Sequence, residues 1–387
     1  MEIEVIEAHG SADCGNSSTK SIVMFDQIRR ARKQPTVISY LPTVPNFEDE
    51  DLEYLVANLH KNMIVHITSK AVARNGLFAV GEIASVYGGS GFNIKHHKKS
   101  ERDLTIIQPL TMIAATTIQE VFARTQELPK QLTVNLHYTA AIPVVDYTRA
   151  DALALEDKLI GEHILIMYVG EGRRVTVTIN VINAKVYQEG IPAFYAILNS
   201  STIFTKYNER YGTKFTGRDF AKRKMLFVDI GDGTLELITI IDGKPVVSKS
   251  RGHRLGVGHA SEKALLAFKS HFNFRADLNR TNFMGKILDK TDKWHDEAKN
   301  ELNAAVFEQE QKIYDSIADI IENVLLYNIQ DIVVFGGGTD VFKQLEHDLI
   351  SYADKYKMRV LWINGKVASL LNAYGLDELN RIHFKEN

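Results

Sequence analysis

The segment Asp229-Ile-Gly-Asp-Gly-Thr-Leu-Glu-Leu237 sets a carboxylate, two glycines and a hydroxyl between the apolar runs Met225–Val228 and Leu235–Ile241. Asp242-Gly243 then turns the chain into Lys244-Pro-Val-Val-Ser248. The pattern reads as strand, glycine-rich turn, strand, hairpin, strand. Gly231 and Gly233 carry no side chain, so backbone N–H groups around Asp232 can approach phosphate oxygens closely. Asp229 suits a metal ion or its water shell, and Thr234 can donate to a phosphate. A tight β-turn in a soluble sheet uses the same residue types, so the motif needs a partner before it carries meaning.

Asp13-Cys-Gly-Asn-Ser-Ser-Thr-Lys20 offers one, ahead of an expected strand at Ser21–Phe25. It repeats the logic with Asp13, Gly15 and the small polar Asn16, Ser17 and Ser18, and adds Lys20 as a cation for β- or γ-phosphate charge. The two turns could clasp one polyphosphate from both sides, with Asp13 and Asp229 facing a shared Mg2+. That ion keeps several waters and takes few carboxylates beside phosphate oxygens. A third element is Phe335-Gly-Gly-Gly-Thr-Asp340. A strand entering Gly336, Gly337, Gly338 and Thr339 lets backbone approach a flat ligand or a phosphate. Its alternative is a plain strand–helix connection that needs positive φ. Taken jointly, the three favour nucleotide binding.

The elements that must position these residues follow from periodicity. Strands are expected at Thr36–Leu41, at Met63–Thr68 and Leu77–Val80 as a pair joined by Asn75-Gly76, and at Gln131–Leu136, Arg174–Val186, Asp331–Phe335 and Arg359–Ile363. Helices are expected at Thr105–Arg124, Ala150–Leu159, Ile191–Leu198, Ser261–Phe268, Asn300–Leu326, Val341–Leu349 and Val367–Asn380. The basic cluster at 29–33 reads as a solvated turn, 46–53 as an acidic loop, and 88–102 as a mobile loop. Antiparallel strands come early in each half and strand–helix alternation follows, so a mixed α/β pattern occurs twice.

Composition bounds the function classes. A chain of 387 residues, 45% hydrophobic, has room for two domains with real cores. With 46 basic against 48 acidic residues, a chain built mainly to coat nucleic acid is not expected. One cysteine, Cys14, excludes an internal disulfide and fits a reducing compartment. The acidic N-terminus has no signal-peptide pattern, and no run of 18 apolar residues suggests a membrane span. Other motifs are weak. Leu255-Gly-Val-Gly-His-Ala-Ser261 is an imperfect dinucleotide fingerprint, and Gly10–Gly15 has P-loop spacing but Asn16 where lysine is required. His96-His97, flanked by Lys95, Lys98 and Lys99, reads as a solvated basic loop rather than a metal site, and His253 and His259 read as local structure around a turn.

On its motifs the chain resembles the actin, sugar kinase and heat-shock chaperone ATPase superfamily, and within it the bacterial actin-like plasmid-segregation proteins of the ParM kind. The resemblance rests on Asp13–Lys20, Phe78–Glu82 (FAVGE), Gln188-Glu-Gly-Ile-Pro-Ala193, 229–234, 336–338 and Asn372–Gly375. It implies an α/β fold of two like domains, each a mixed sheet flanked by helices, around a nucleotide cleft. The first would hold 1–187 with 364–387 packed back on it, and the second 188–363. Glu189 falls where these proteins place the residue that positions or activates the attacking water; a charge favoured at a helix N-terminus is the other reading. Glu262 and Lys263 match positions that contact ribose and base, and Gly336–Thr339 would line the nucleoside. The resemblance further implies ATP or GTP with Mg2+, hydrolysis coupled to helical self-assembly, and a separate DNA-binding adaptor on a plasmid centromere-like site. No direct nucleic-acid contact and no membrane is implied, and the place of work is the bacterial cytoplasm. The loop at 95–102 is a candidate filament contact. The chain departs from the pattern in one place: His9-Gly-Ser-Ala12 precedes Asp13, where a hydrophobic strand is usual. A short first strand, or one at Ile3–Ile6 with an irregular joint, is expected. The rival is a non-polymerising phosphotransferase or chaperone-like ATPase on the same fold. A sugar kinase needs a catalytic Asp in a substrate cleft, to which no motif points. A chaperone needs a separate peptide-binding domain, and none is expected after the last helix.

Overall fold

The computed structural model describes residues 5–47, 50–91, 98, 101–274 and 278–384. The chain forms two compact units, Met1–Ala196 with Asn372–Asn387, and Ile197–Leu371. Both changeovers fall later than the divisions at 187/188 and 363/364 that the resemblance implies.

Among the described residues the first unit builds a nine-stranded sheet in the order β3-β2-β1-β7-β9-β8-β5-β6-β4. Its strands are β1 (Val5–Cys14), β2 (Ser18–Phe25), β3 (Ile28–Pro35), β4 (Ile38–Leu41), β5 (Met63–Ser69), β6 (Gly76–Val80), β7 (Gln131–Ile142), β8 (Gly161–Gly170) and β9 (Arg173–Gln188). In β9, buried Val175, Val177, Ile179 and Val181 alternate with half-buried Thr176, Thr178 and Asn180, the period-two signature of a strand. The helix Leu104–Thr125 lies in the same core. It is long and apolar enough to cross a membrane, but 83% of that stretch is buried inside the protein. Thr111, Thr116 and Thr117 become tolerable there by donating to carbonyls one turn back, at 2.7, 2.7 and 2.9 Å.

The second unit holds β10 (Lys224–Ile230), β11 (Leu235–Ile241), β12 (Lys244–Pro245), β13 (Arg251–His253), β14 (Asp331–Phe335) and β15 (Arg359–Trp362). The order is β12-β11-β10-β14-β15, with β13 also on β11. β10 is buried along nearly its whole length, as expected of a strand covered on both faces. Ile313, Ile317, Ile320, Phe342, Leu345 and Leu349 pack on this sheet from neighbouring helices. The order β3-β2-β1-β7-β9 of the first sheet is matched position for position. In each unit the first strand pairs antiparallel with the second, and parallel with the next in the row.

Several expectations need correction. The first strand is neither short nor irregular: β1 is continuous through Asp13 and parallel to β7. It looks unlike a hydrophobic strand because space forbids side chains. A Cβ on Gly10 would lie 2.9 Å from Leu136 Cδ1 and 3.3 Å from Ile113 Cδ1. The basic cluster 29–33 is not a turn but most of edge strand β3. Asp377 and Glu120 balance Arg29 and Arg30, the latter at 2.7 Å, and Arg32 donates to the neutral Gln119 Oε1 at 3.2 Å. The long helix ends at Asp319 and continues as a π-helical turn, Ile320–Val324. The strand expected at 244–248 stops at Pro245 and gives way to a 3-10 turn, Val247–Lys249. β8 joins the sheet where no element was expected. His96-His97 and most of the 88–102 loop's basic part lie outside the described residues.

Two buried polar sites give measurable handles. Asp331 is fully buried at the start of β14, ion-paired with Arg223 and accepting from Tyr207 Oη at 2.5 Å. Asp331→Ala would strand the arginine, and should cost roughly 3–5 kcal/mol in the urea unfolding of the second unit. In the first unit, buried His163 lies 2.8 Å (Nε2) from Leu159 O and 2.6 Å (Nδ1) from Ser69 Oγ, which itself accepts from Ala71 N–H. A neutral ring satisfies both contacts by donating from Nε2 and accepting at Nδ1. Burial holds this imidazole below its ordinary value. The folded unit therefore binds fewer protons than the unfolded chain around pH 6. Stability is complete above the unfolded value of about 6.5 and falls with acidification, by at most about 1.4 kcal/mol per pH unit. Unfolding midpoints followed from about pH 7.5 to about pH 5.5 should fall for the native chain and fall less for His163→Gln.

Candidate functional site

In the first unit, Ala12 lies opposite Ala140, and Ala140 opposite Val186. The parallel strands β1, β7 and β9 therefore finish together, at Cys14, Ile142 and Gln188. The turn through Gly15, Asn16 and Ser17, and the link beginning at Glu189, leave from this one edge. It is the carboxyl edge of parallel strands, where open α/β sheets receive ligands. Buried Glu189 is tied to the row by its N–H, which donates to Ile142 O at 2.8 Å. The next residue, Gly190, has φ +84° and donates its N–H to Asn372 Oδ1 at 3.0 Å. The helix that Asn372 opens is pressed onto the link, and a Cβ on Gly375 would stand 1.7 Å from Pro192 O. Gln188–Ala193 and Asn372–Gly375 are thus brought together.

Asp13 and Lys20 face each other across the β1–β2 hairpin. Lys20 Nζ donates to Asp13 Oδ2 at 2.9 Å, with both side chains largely buried. Lys20 thus balances the charge of Asp13 while both stand beside Asn16, Ser17 and Ser18.

In the second unit, Asp229 is the last residue but one of β10 and is buried. The turn after it is held on three sides. Gly231 N–H donates to Thr234 O at 2.9 Å within the turn. From the start of helix Val257–His271, Val257 N–H donates to Gly231 O at 3.0 Å and Gly258 N–H to Asp232 O at 2.6 Å. A trans peptide points its N–H opposite to its C=O. With those two carbonyls drawn to the helix, the N–H groups of Asp232 and Gly233 face away from it. Arg280 takes Asp232 Oδ2 at 3.1 Å, and His259 Nε2 meets Gly233 O at 3.0 Å. On the third side stands the glycine loop. Gly336 has φ +99°, and a Cβ there would lie 2.5 Å from Asp229 Oδ1 and 2.5 Å from Ile230 O. The 229–234 and 336–338 motifs therefore form one structure. Buried Thr339 shapes that loop, since its hydroxyl donates to Gly336 O at 2.9 Å. Glu262 lies on the helix that seats the turn, half-buried, whereas Lys263 is exposed and ion-paired with Glu308.

No protein-family model matches this sequence, and no curated protein matches it. Solved structures do. The actin-like protein Alp7A superposes at TM-score 0.66 with 16% identity, over 98% of this chain and 97% of that one. The ParM of a 15-stranded filament from Clostridium botulinum gives 0.65 at 18%, over 97% and 99%. Bacillus thuringiensis ParM with ATP gives 0.62 at 18%, also over 97% and 99%.

The fold is actin-like.

The two sheets share a five-strand order, and each carries its turn at the end of its first strand. Sequence reasoning missed what lies behind the turns. Gly256 and Gly258, set aside as an imperfect dinucleotide fingerprint, stand where side chains would strike the 229–234 turn: their Cβ atoms would fall 2.2 and 3.0 Å from Asp232 O. Small residues at alternate positions at the start of a helix were the available signal. Arg280 had none. As to metal, no group of three or more His, Cys, Asp or Glu side chains gathers among the described residues. Single carboxylates at strand ends fit Mg2+, which relies on waters and phosphate oxygens for its remaining ligands.

Gly336→Ala should drive the Asp229 carboxylate and the 230 carbonyl out of place as well as strain the backbone. The second unit should lose about 2 kcal/mol or more, read from its thermal midpoint, while the first unit's transition stays put.

Proposed function

We propose that this chain binds ATP or GTP with Mg2+, assembles with copies of itself into a filament, and hydrolyses the nucleotide to control how long the filament lasts, thereby moving plasmid DNA. The observation that carries the reading is the repeated one: two sheets of matching strand order, each with a backbone turn and a buried carboxylate at the end of its first strand. The full-length likeness to ParM solved with ATP and to ParM solved as a filament supports nucleotide use and self-assembly.

In this reading Asn16, Ser17, Ser18, Lys20 and the 231–234 turn bind the phosphates, and Gly336–Gly338 with Glu262 border the nucleoside. Asp13 and Asp229 would hold Mg2+, directly or through its waters. When bound, the ion would supply neutralisation of phosphate charge. Glu189 holds the attacking water in line with the γ-phosphorus and accepts its proton. Its backbone is fixed for this by the Ile142 and Asn372 contacts on either side of the link. A net charge of −2 suits a chain that reaches DNA through a separate adaptor protein in the bacterial cytoplasm.

Light scattering of the purified chain should rise on adding ATP or GTP with Mg2+, and decay as phosphate is released. A flat trace across concentrations, with hydrolysis intact, would leave a soluble nucleotidase instead. Glu189→Ala should assemble normally yet release phosphate roughly 100-fold more slowly, giving persistent polymer. Hydrolysis at the native rate would remove Glu189 from the mechanism.

A further inference from the structure

The turn between β1 and β2 is held from behind by one residue. Thr36, just past β3, is 1% exposed. Its hydroxyl donates to Gly15 O at 2.7 Å, and its backbone N–H donates to Ser17 O at 3.2 Å. The Thr19 hydroxyl lies 3.0 Å from that of Thr36. Because Thr36 gives its only hydroxyl hydrogen to Gly15 O, Thr19 is the donor in that pair. The residues on either side of Thr36 are also pinned. Pro35 O accepts from Gln108 of the core helix at 2.7 Å, and Val37 O accepts from Gly81 N–H at 2.9 Å. Thr36 is therefore a fixed point, not part of a loop that adapts.

Peptide geometry turns this into a statement about the opposite face. With the Gly15 and Ser17 carbonyls drawn toward Thr36, the N–H groups of Asn16 and Ser18 must point away from it. Those are the donors that an anion seated in the turn would meet. We propose that Thr36 is a positioning residue for the nucleotide site: its hydroxyl sets the Gly15–Asn16 peptide so that Asn16 N–H meets a phosphate oxygen. This rests on the nucleotide reading of the turn. The hydroxyl is the feature that matters, since any residue other than proline supplies the backbone N–H. Valine has threonine's shape and lacks the bond, whereas serine keeps the bond and lacks the methyl group.

The test measures binding of a fluorescent ATP analogue with Mg2+, and steady-state hydrolysis of ATP, in the native full chain and in Thr36→Val and Thr36→Ser. Thr36→Val should weaken binding roughly 3- to 10-fold. It should raise KM with kcat unchanged, because the turn holds ground state and transition state alike. Thr36→Ser should bind within about twofold of the native chain, on the same hydrogen-bond scale. Native affinity in Thr36→Val, or serine no better than valine, overturns the proposal, as does a fall in kcat with KM unmoved. Hydrogen exchange on the native chain supplies an arm that needs no variant: the Asn16 and Ser18 amides should gain protection when ATP and Mg2+ bind. Nucleotide binding without that protection also overturns it. A native chain that binds no nucleotide at all would instead refute the functional reading beneath it.

Discussion

The planar trans peptide is the constraint on which both turns depend. A turn can offer N–H groups to an anion only if its carbonyls are occupied elsewhere, because each peptide presents one or the other to a given side. The two units meet this requirement with different donors. In the first, a single threonine takes the Gly15 and Ser17 carbonyls through its side chain and its backbone. In the second, the opening N–H groups of helix Val257–His271 take those of Gly231 and Asp232. There the helix spends its unsatisfied donors on the turn, and the positive end of its dipole is felt at one remove. In the proposed reading the backbone does the recognising, so the side chains within the turns can differ, as Asn16 and Ser17 do from Asp232 and Gly233.

Steric exclusion then locks each turn to its neighbours. The contacts of Gly336 with Asp229 and Ile230, and of Gly375 with Pro192, leave no room for a methyl group. These glycines serve less as hinges than as places where two backbones touch. Such contacts transmit displacement directly, since a close-packed joint cannot absorb a shift without moving its partner. Strand end, turn and glycine loop in the second unit therefore form one rigid block, and so do link and terminal helix in the first.

Much of this was legible in the chain. Strands such as β9 and β10 announce themselves by period or by unbroken apolar runs, and the motifs at 13–20, 229–234 and 336–338 stand out by residue type. What was hidden was hidden for physical reasons. β1 lacks a hydrophobic look partly because Gly10 sits tight against Leu136 and Ile113, which leave little room for a side chain. The strand at 28–35 hides behind arginines whose partners, Glu120 and Asp377, are far away in sequence. Thr36 and Arg280 act on residues distant along the chain, so no local pattern marks them. Sequence could suggest the carboxylate Asp13, but not that Lys20 sits upon it.

The terminal helix has a consequence in time. Gly190, beside the proposed catalytic Glu189, gives its N–H to Asn372, and Thr139 gives its hydroxyl to Leu376 O. The first unit thus joins two segments separated by the whole of Ile197–Leu371. Domains fold as they emerge, from the N-terminus onward, but this one lacks a piece until the residues from Asn372 onward have been made. The unit in between, Ile197–Leu371, emerges whole before the glutamate's link is fastened. A chain stopped before Asn372 can therefore carry the Asp13–Lys20 turn while Gly190, beside Glu189, still lacks its Asn372 contact.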